Sequence, residues 1–339
     1  MKKLNIFLVV CFLFGFQQAQ ARTFKIATLA PDGTNWMKEL RKGAKNIAKL
    51  TDNRVKFKFY TGGVMGSEKT ILKKMRVGQL QGGAFTSTSL TDIYQDAQIY
   101  NLPFLFRSHE EIDYIRSKMD DAYKKGMAEN GLVILGMSHG GFAYFMSDTP
   151  IRTVDDVRNK KVWLPEGAKI IETVYKVSHI TPIPLSMADV YTGLQTGMID
   201  SIGSNPMGAI AFQWHTKIKY ATDIPLFYIL GIFAVDKKAF SKLHKKDQTI
   251  VLTEMGIIMD KLGEINRHDN TAARAALEKH GIKFVSLNTQ DRRRWQEIAA
   301  QATEALGKEG AYSTKMYNTL QQHLQDFRKI NHTDTSNDP

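Results

Sequence analysis

The residues that could do chemistry in this chain are few, and no spacing among them completes a reacting set. Nine histidines are scattered along 339 residues, among them His109, His139, His179, His215 and His244, without the separations that put ligands around one metal. A lone histidine is more often a surface or satisfied core group than a ligand. Asp189 and Asp200 could be imagined as an acid and base pair, but one falls in a helical stretch and the other in a strand, and nothing places them together. Gly62-Gly63-Val64-Met65-Gly66 precedes a helix without the Lys-Ser/Thr pair of a phosphate-holding loop, so it reads as a strand-to-helix turn. The motifs GxSxG, HExxH and CxxC are absent. With no nucleophile, base and acid to combine, and no metal or cofactor called for, the chain reads as a binder and not an enzyme.

Lys2 and Lys3, the apolar run from Leu4 to Phe16 and the end Ala19-Gln20-Ala21 have the order of a secretory leader, and the run is too short to span a bilayer. Cleavage after Ala21 is expected, leaving an exported chain from Arg22. Cys11 goes with the leader, so neither disulfides nor thiol chemistry are expected in the mature protein. Losing Lys2 and Lys3 takes the formal net charge from +12 to +10. The basic residues are dispersed (Lys38, Arg41, Lys42, Lys45 and Lys49 are typical) and lack the interleaved aromatic platforms of single-strand binders, so no nucleic-acid partner is expected. A solvated surface, or weak steering of an anionic ligand or acidic partner, accounts for the excess. At 43% apolar and 24% charged residues the chain is globular and long enough for two domains.

Periodicity supplies the elements that must position a binding site. Strands are expected over 23–28, 55–60, 81–86, 131–136, 140–146, 161–164, 179–184, 198–202, 226–235 and 282–287. Helices are expected over 36–50, 68–78 behind a Ser67 cap, 109–126 behind Ser108, 168–177, 187–196 behind Ser186, 207–218, most of 241–281, 290–307 and 312–330. From residue 331 onward no period is visible and a mobile tail is expected. The alternation points to parallel βαβ units, with 140–146 and 226–235 as crossovers between two lobes of a hinged α/β protein. Within it, Lys160 to Gly167 is a short buried strand stopped by Pro165 and Gly167, at the kind of sheet edge where α/β proteins place ligands. Its central side chain is Trp163.

Four segments, ordered and well spaced, carry a resemblance. They are Tyr60 to Gly66 (YPGGxLG), Asn101-Leu102-Pro103-Phe104 (LPF), Lys160 to Pro165 (GxKxRxP), and Pro184 to Asp200 (P-x-x-x-x-[ED]-V-Y-x-A-L-Q-x-G-x-V-D). Through them the chain, from about Thr23 to Ile330, resembles the solute receptors of tripartite ATP-independent periplasmic (TRAP) transporters, of the dicarboxylate and sialic-acid type. The resemblance implies a bilobed α/β fold, two domains joined by crossover strands and a long shared helix. Residues 22–140 and 231–270 would form one lobe, 141–230 and 271–330 the other. It further implies a monomer that closes by a hinge on a small organic ligand and delivers it to membrane permease subunits. A periplasmic ligand sensor feeding a signalling receptor would close in the same way and stays open as the alternative.

The departures from the family pattern bear on the ligand. Trp163 stands where the family places an arginine that clamps a ligand carboxylate. A second arginine, of the crossover strand, corresponds to Ala143; an acidic and a basic pocket position correspond to Thr86 and Ser89, and a pocket phenylalanine to Met187. The asparagine of D-x-x-x-N-P corresponds to Asn205, one residue further from Asp200 than in the family. Burying an unpartnered carboxylate costs several kcal/mol, comparable with the roughly 8 kcal/mol of micromolar binding. The resemblance therefore implies a more apolar or aromatic ligand stacked on Trp163, or a carboxylate held by another basic residue. Thr86 and Ser87 at a strand end, with Phe85, Phe142, Tyr144, Met187, Trp36 and Trp214 as walls, are the further candidate contacts. Core packing is the commoner role for each of these bulky side chains, and Asn205 could equally cap a turn.

Overall fold

The structure, a computed structural model, describes residues 21–334, so all of the expected leader but Ala21 lies outside the described residues. The chain begins with β1 (Arg22–Ala27), α1 (Asn35–Leu50), β2 (Val55–Tyr60), α2 (Glu68–Arg76), β3 (Gly82–Thr86), α3 (His109–Glu129) and β4 (Leu132–Ser147). Next come α4 (Val154–Arg158), β5 (Trp163–Pro165), α5 (Lys169–Val177), β6 (Ile183–Leu185), α6 (Val190–Thr196), β7 (Ser201–Ser204), α7 (Pro206–Ala211) and β8 (Tyr220–Thr222). The last are β9 (Phe227–Asp236), α8 (Lys237–Ser241), α9 (Lys245–Lys279), β10 (Lys283–Val285), α10 (Thr289–Lys308) and α11 (Thr314–Asp334).

Local chemistry explains many of the helix starts. The side chains of Thr34, Ser67 and Ser108 accept from the amides of Met37, Thr70 and Glu111, satisfying donors that a first turn leaves free. α1 then buries one stripe, Met37, Leu40, Ala44 and Ile47. Ser186 is different: its hydroxyl bonds the Asp189 side chain, and Met187–Asp189 is a 3-10 turn, so the helix expected from 187 starts at Val190. The helix expected over 207–218 ends at Ala211, and the left-handed Gln213 (φ 60°) separates it from a 3-10 turn at Trp214–Thr216. α11 runs four residues into the expected mobile tail; the rest of that tail lies outside the described residues.

The sheet is mixed. β2, β1 and β3 are parallel, as βαβ units require, but β3 pairs antiparallel with β9, β9 with β4, and β4 with both β7 and β8. β10 joins β8 in parallel. An all-parallel reading fails because the chain crosses between lobes along β4 and returns along β9, so the two crossovers run in opposite directions. They pair from Leu132 with Asp236 to Ala143 with Phe227. Strands expected separately at 131–136 and 140–146 are therefore one strand, whose glycines sit at two register breaks inside the ladder instead of ending it. β5 pairs only with β6, and such an edge tolerates Pro165 within the strand, paired with Leu185, where a stop was expected.

Two α/β lobes result, joined by β4, β9 and α9. The 35-residue α9 packs on β4 and on both α1 and α7. Its alignment is set at the second bulge. Gly140 is left out of the β4–β9 register, and its carbonyl accepts from the side-chain amides of Asn270 (3.0 Å) and Asn205. Asn266 donates to the His139 carbonyl at 2.8 Å, and Asn270 accepts from the Met207 amide at 3.2 Å. Gly141 next to it has φ 95°, and a Cβ there would meet the Asn270 amide at 2.7 Å. Because Asn270→Leu removes one of two donors to the Gly140 carbonyl and the acceptor of the Met207 amide, it should lower unfolding free energy by about 0.5–1.5 kcal/mol in urea titrations; an unchanged midpoint would show that the bulge does not need this amide.

Candidate functional site

The lobes enclose a cleft of about 750 Å³, a size that suits a small organic ligand. Trp36 of α1 and the β3 end at Phe85 and Thr86 form one side; β5, the Gly203–Asn205 end of β7, Met187 and α7 form the other. Phe227 and Ile229 of β9 and Asn266 to Ala276 of α9 close the back.

Trp163 is 3% exposed yet reaches the cleft wall. Its indole Nε1 donates to the Leu185 carbonyl at 3.0 Å, and its ring meets Trp214 edge to face, with centroids 5.4 Å apart. Phe212 stacks on Trp214 in turn (5.1 Å, 22°). With the indole N–H spent, Trp163 offers a ligand only apolar ring surface. Trp36, Phe85, Met187 and Trp214 also line the cleft, although Phe85 and Trp214 are themselves nearly buried. Asn205 lines it too, but its amide caps α7 by accepting from the Gly208 N–H at 2.9 Å and donates to Gly140. Both ends of that side chain are committed to the fold.

Three expected contacts do not line the cleft. Ser87 is fully buried, and its hydroxyl donates to Asn101, which reaches the cleft in its place. Phe142 packs on His109 (5.2 Å) and Tyr228 (5.5 Å) in the first lobe's core. Tyr144 points toward Phe284 and Arg274, whose guanidinium lies 3.8 Å over the Phe284 ring. The cause is the bulge: β4 meets the cleft at Ser138, His139 and Gly140, and the inserted residue changes which face the later side chains take. Ala143 is fully buried beside Phe227, and Ser89 turns back to donate to the Thr86 carbonyl at 2.9 Å.

Thr86 leads to a residue that sequence reading missed as a site group. Its amide and hydroxyl each donate to Glu68, at 2.7 Å to Oε1 and Oε2. Glu68 was legible only as a favourable acid in the first turn of α2, behind Ser67; its reach to a strand 18 residues on has no local signal. Among the described residues it has no cationic partner, and burial pushes its carboxyl above the ordinary 4.5, with the Thr86 bonds pulling weakly the other way. His139 is the other surprise. Burial and the nearby Arg116 and Arg267 guanidiniums push its imidazole down to about 2, so it is neutral at working pH. Lys69 is the one cation on the cleft wall, against Glu68, Glu166 and Asp269, and no arginine lines it.

A pair of lobes joined by long strands around a cleft, without a reacting set among the described residues, is the architecture of a solute receptor. The profile of bacterial extracellular solute-binding protein, family 7, matches residues 26–309, and the chain belongs to that family. It is a TRAP-type solute-binding protein, not an enzyme. The C4-dicarboxylate-binding periplasmic protein DctP of Rhodobacter capsulatus is 22% identical over 253 residues, 74% of this chain and 76% of that protein. A TRAP periplasmic solute-binding protein from Xanthobacter autotrophicus, holding β-D-galacturonate, superposes with TM-score 0.82 at 19% identity, over 89% of this chain and 99% of that one. Another from Desulfovibrio salexigens, holding orotic acid, gives 0.83 at 19% identity over 90% and 99%. No described helix is long and apolar enough to cross a membrane.

The raised Glu68 carboxyl makes a pH prediction. A buried acid that resists ionisation costs stability once pH exceeds its unfolded value, and costs nothing below it. Glu68→Gln keeps the size but only one of the two accepting oxygens, so its melting temperature relative to wild type should rise as pH goes from below about 4.5 to neutral, where the wild-type charge is costly. A gain independent of pH would point to packing instead of charge.

Proposed function

We propose that the chain is the periplasmic receptor of a TRAP transporter that binds a solute with an apolar or aromatic body and passes it to membrane permease subunits. Residues 1–21 would direct export, and residues 22–140 with 231–270 would close on 141–230 with 271–330 about β4 and β9. One observation carries the ligand class: no arginine lines the cleft, and Trp163 stands at the clamp position with its N–H already satisfied. The galacturonate and orotate of the two structural neighbours are anions. An anion in this cleft would face three carboxylates and a single lysine, Lys69, exposed at the rim. Ring and alkyl faces of Trp163, Trp214, Trp36, Phe85 and Met187 would instead take up an apolar body, with the Glu68–Thr86 pair fixing a hydrogen-bonding group.

Calorimetry of the mature chain against a metabolite panel tests this. Apolar or aromatic solutes should bind far more tightly than C4-dicarboxylates or sialic acid, and Trp163→Ala should weaken them about tenfold or more, about 1.4 kcal/mol. Tight dicarboxylate or sialic-acid binding that Trp163→Ala leaves unchanged would sink the reading.

A further inference from the structure

Behind the cleft wall at β5 and β7 lies a second hollow of about 50 Å³. Trp163, Pro165, Ile171, Gly203 and Phe227 line both spaces, so a single layer of side chains separates the hollow from the cleft. Its far wall is built by Phe104, Phe145, Val174 and, from α10, Trp295 and Ala299.

The space would hold a water, which needs only ~10–15 Å³, but a water also needs polar partners. None is left. The Tyr175 hydroxyl donates to the Trp163 carbonyl at 3.3 Å, Trp163 Nε1 to Leu185, and Trp295 Nε1 to the Arg152 carbonyl at 2.8 Å. Every side-chain polar group on the wall is thus turned to backbone, and the chamber offers only apolar surface. Phe104 at its rim holds a left-handed conformation (φ 53°) with its amide bonded to the Leu226 carbonyl at 2.7 Å, a strain that a side chain used only for filling would not require.

Gly203 lies on the shared wall. It lies in β7 opposite Phe145, and a Cβ built on it meets nothing closer than the Phe227 ring at 3.9 Å. Neither a left-handed backbone nor close packing demands glycine there; a side chain would simply add to the wall between cleft and chamber.

We propose that the chamber is a subsite for the apolar end of the bound solute, entered past Gly203. It rests on the reading of the cleft as an apolar-ligand site and adds that length and shape of the ligand's apolar end are selected there. Linear 1-alkanols from butanol to decanol serve as neutral probes, titrated calorimetrically into the full mature chain. Wild-type affinity should rise about fourfold per methylene as the chain enters the chamber, the equivalent of about 0.8 kcal/mol per buried CH₂. Gly203→Val, which adds a side chain on the wall between cleft and chamber, should abolish the gain per methylene for the long alkanols. Ala299→Leu fills the chamber from α10 without touching the cleft and should do the same, guarding against a misfolded first variant. If both variants keep wild-type melting and the full length dependence, the chamber is no subsite while the apolar cleft stands. If no alkanol binds the wild type at all, the apolar reading of the cleft falls as well.

Discussion

A carbonyl that leaves a sheet ladder needs another donor, and the fewer waters reach it the more that donor matters. In this protein that constraint falls on the half-buried Gly140, in the middle of the long strand that joins the lobes. Asn270 of α9 and Asn205 at the start of α7 both meet it, while Asn266 secures the neighbouring carbonyl of His139. The consequence is geometric. α9 is fixed across β4, α7 is fixed over the cleft, and Met207 and Phe212 come to line it. A device that repairs one strand irregularity also defines the back and one wall of the binding site.

The same economy of polar groups sets the character of the cleft. The Trp163 indole, the Asn205 amide and the Thr86 hydroxyl all bond within the protein, and His139 is held neutral between two arginines that face away from the ligand space. What remains for a ligand is chiefly ring and alkyl surface, beside the charged groups Lys69, Glu166 and Asp269 and the lone pairs of Glu68 that Thr86 does not use. About 200 Å² of apolar ligand surface removed from water contributes about 5 kcal/mol, a large part of the roughly 8 kcal/mol that micromolar binding needs. An aromatic wall can therefore replace a salt bridge in magnitude, while changing the class of molecule that is held.

Much of the site's outline was legible along the chain. The segment around Trp163 and Pro165, the candidate Met187, and the pair Trp36 and Trp214 all arrive at the cleft. Ser87, Phe142 and Tyr144 do not, since their directions depend on a bulge and on buried partners that no local pattern reports. Glu68, Asn266 and Asn270 were invisible for the complementary reason. An acid in a first turn and amides in a long helix satisfy local rules whether or not they serve a distant strand.

The sequence by itself determined most of the longer elements, the caps at Ser67 and Ser108, and the absence of the reacting motifs GxSxG, HExxH and CxxC, because these rest on residue type and short spacing. Only the tertiary structure decided that the crossovers run antiparallel, that Glu68 sits on the wall without an ion-pair partner among the described residues, and that a small apolar hollow lies behind Trp163. Strand register and side-chain direction come from pairing between distant segments, and one inserted residue reverses them, so no periodicity within a segment can carry that information.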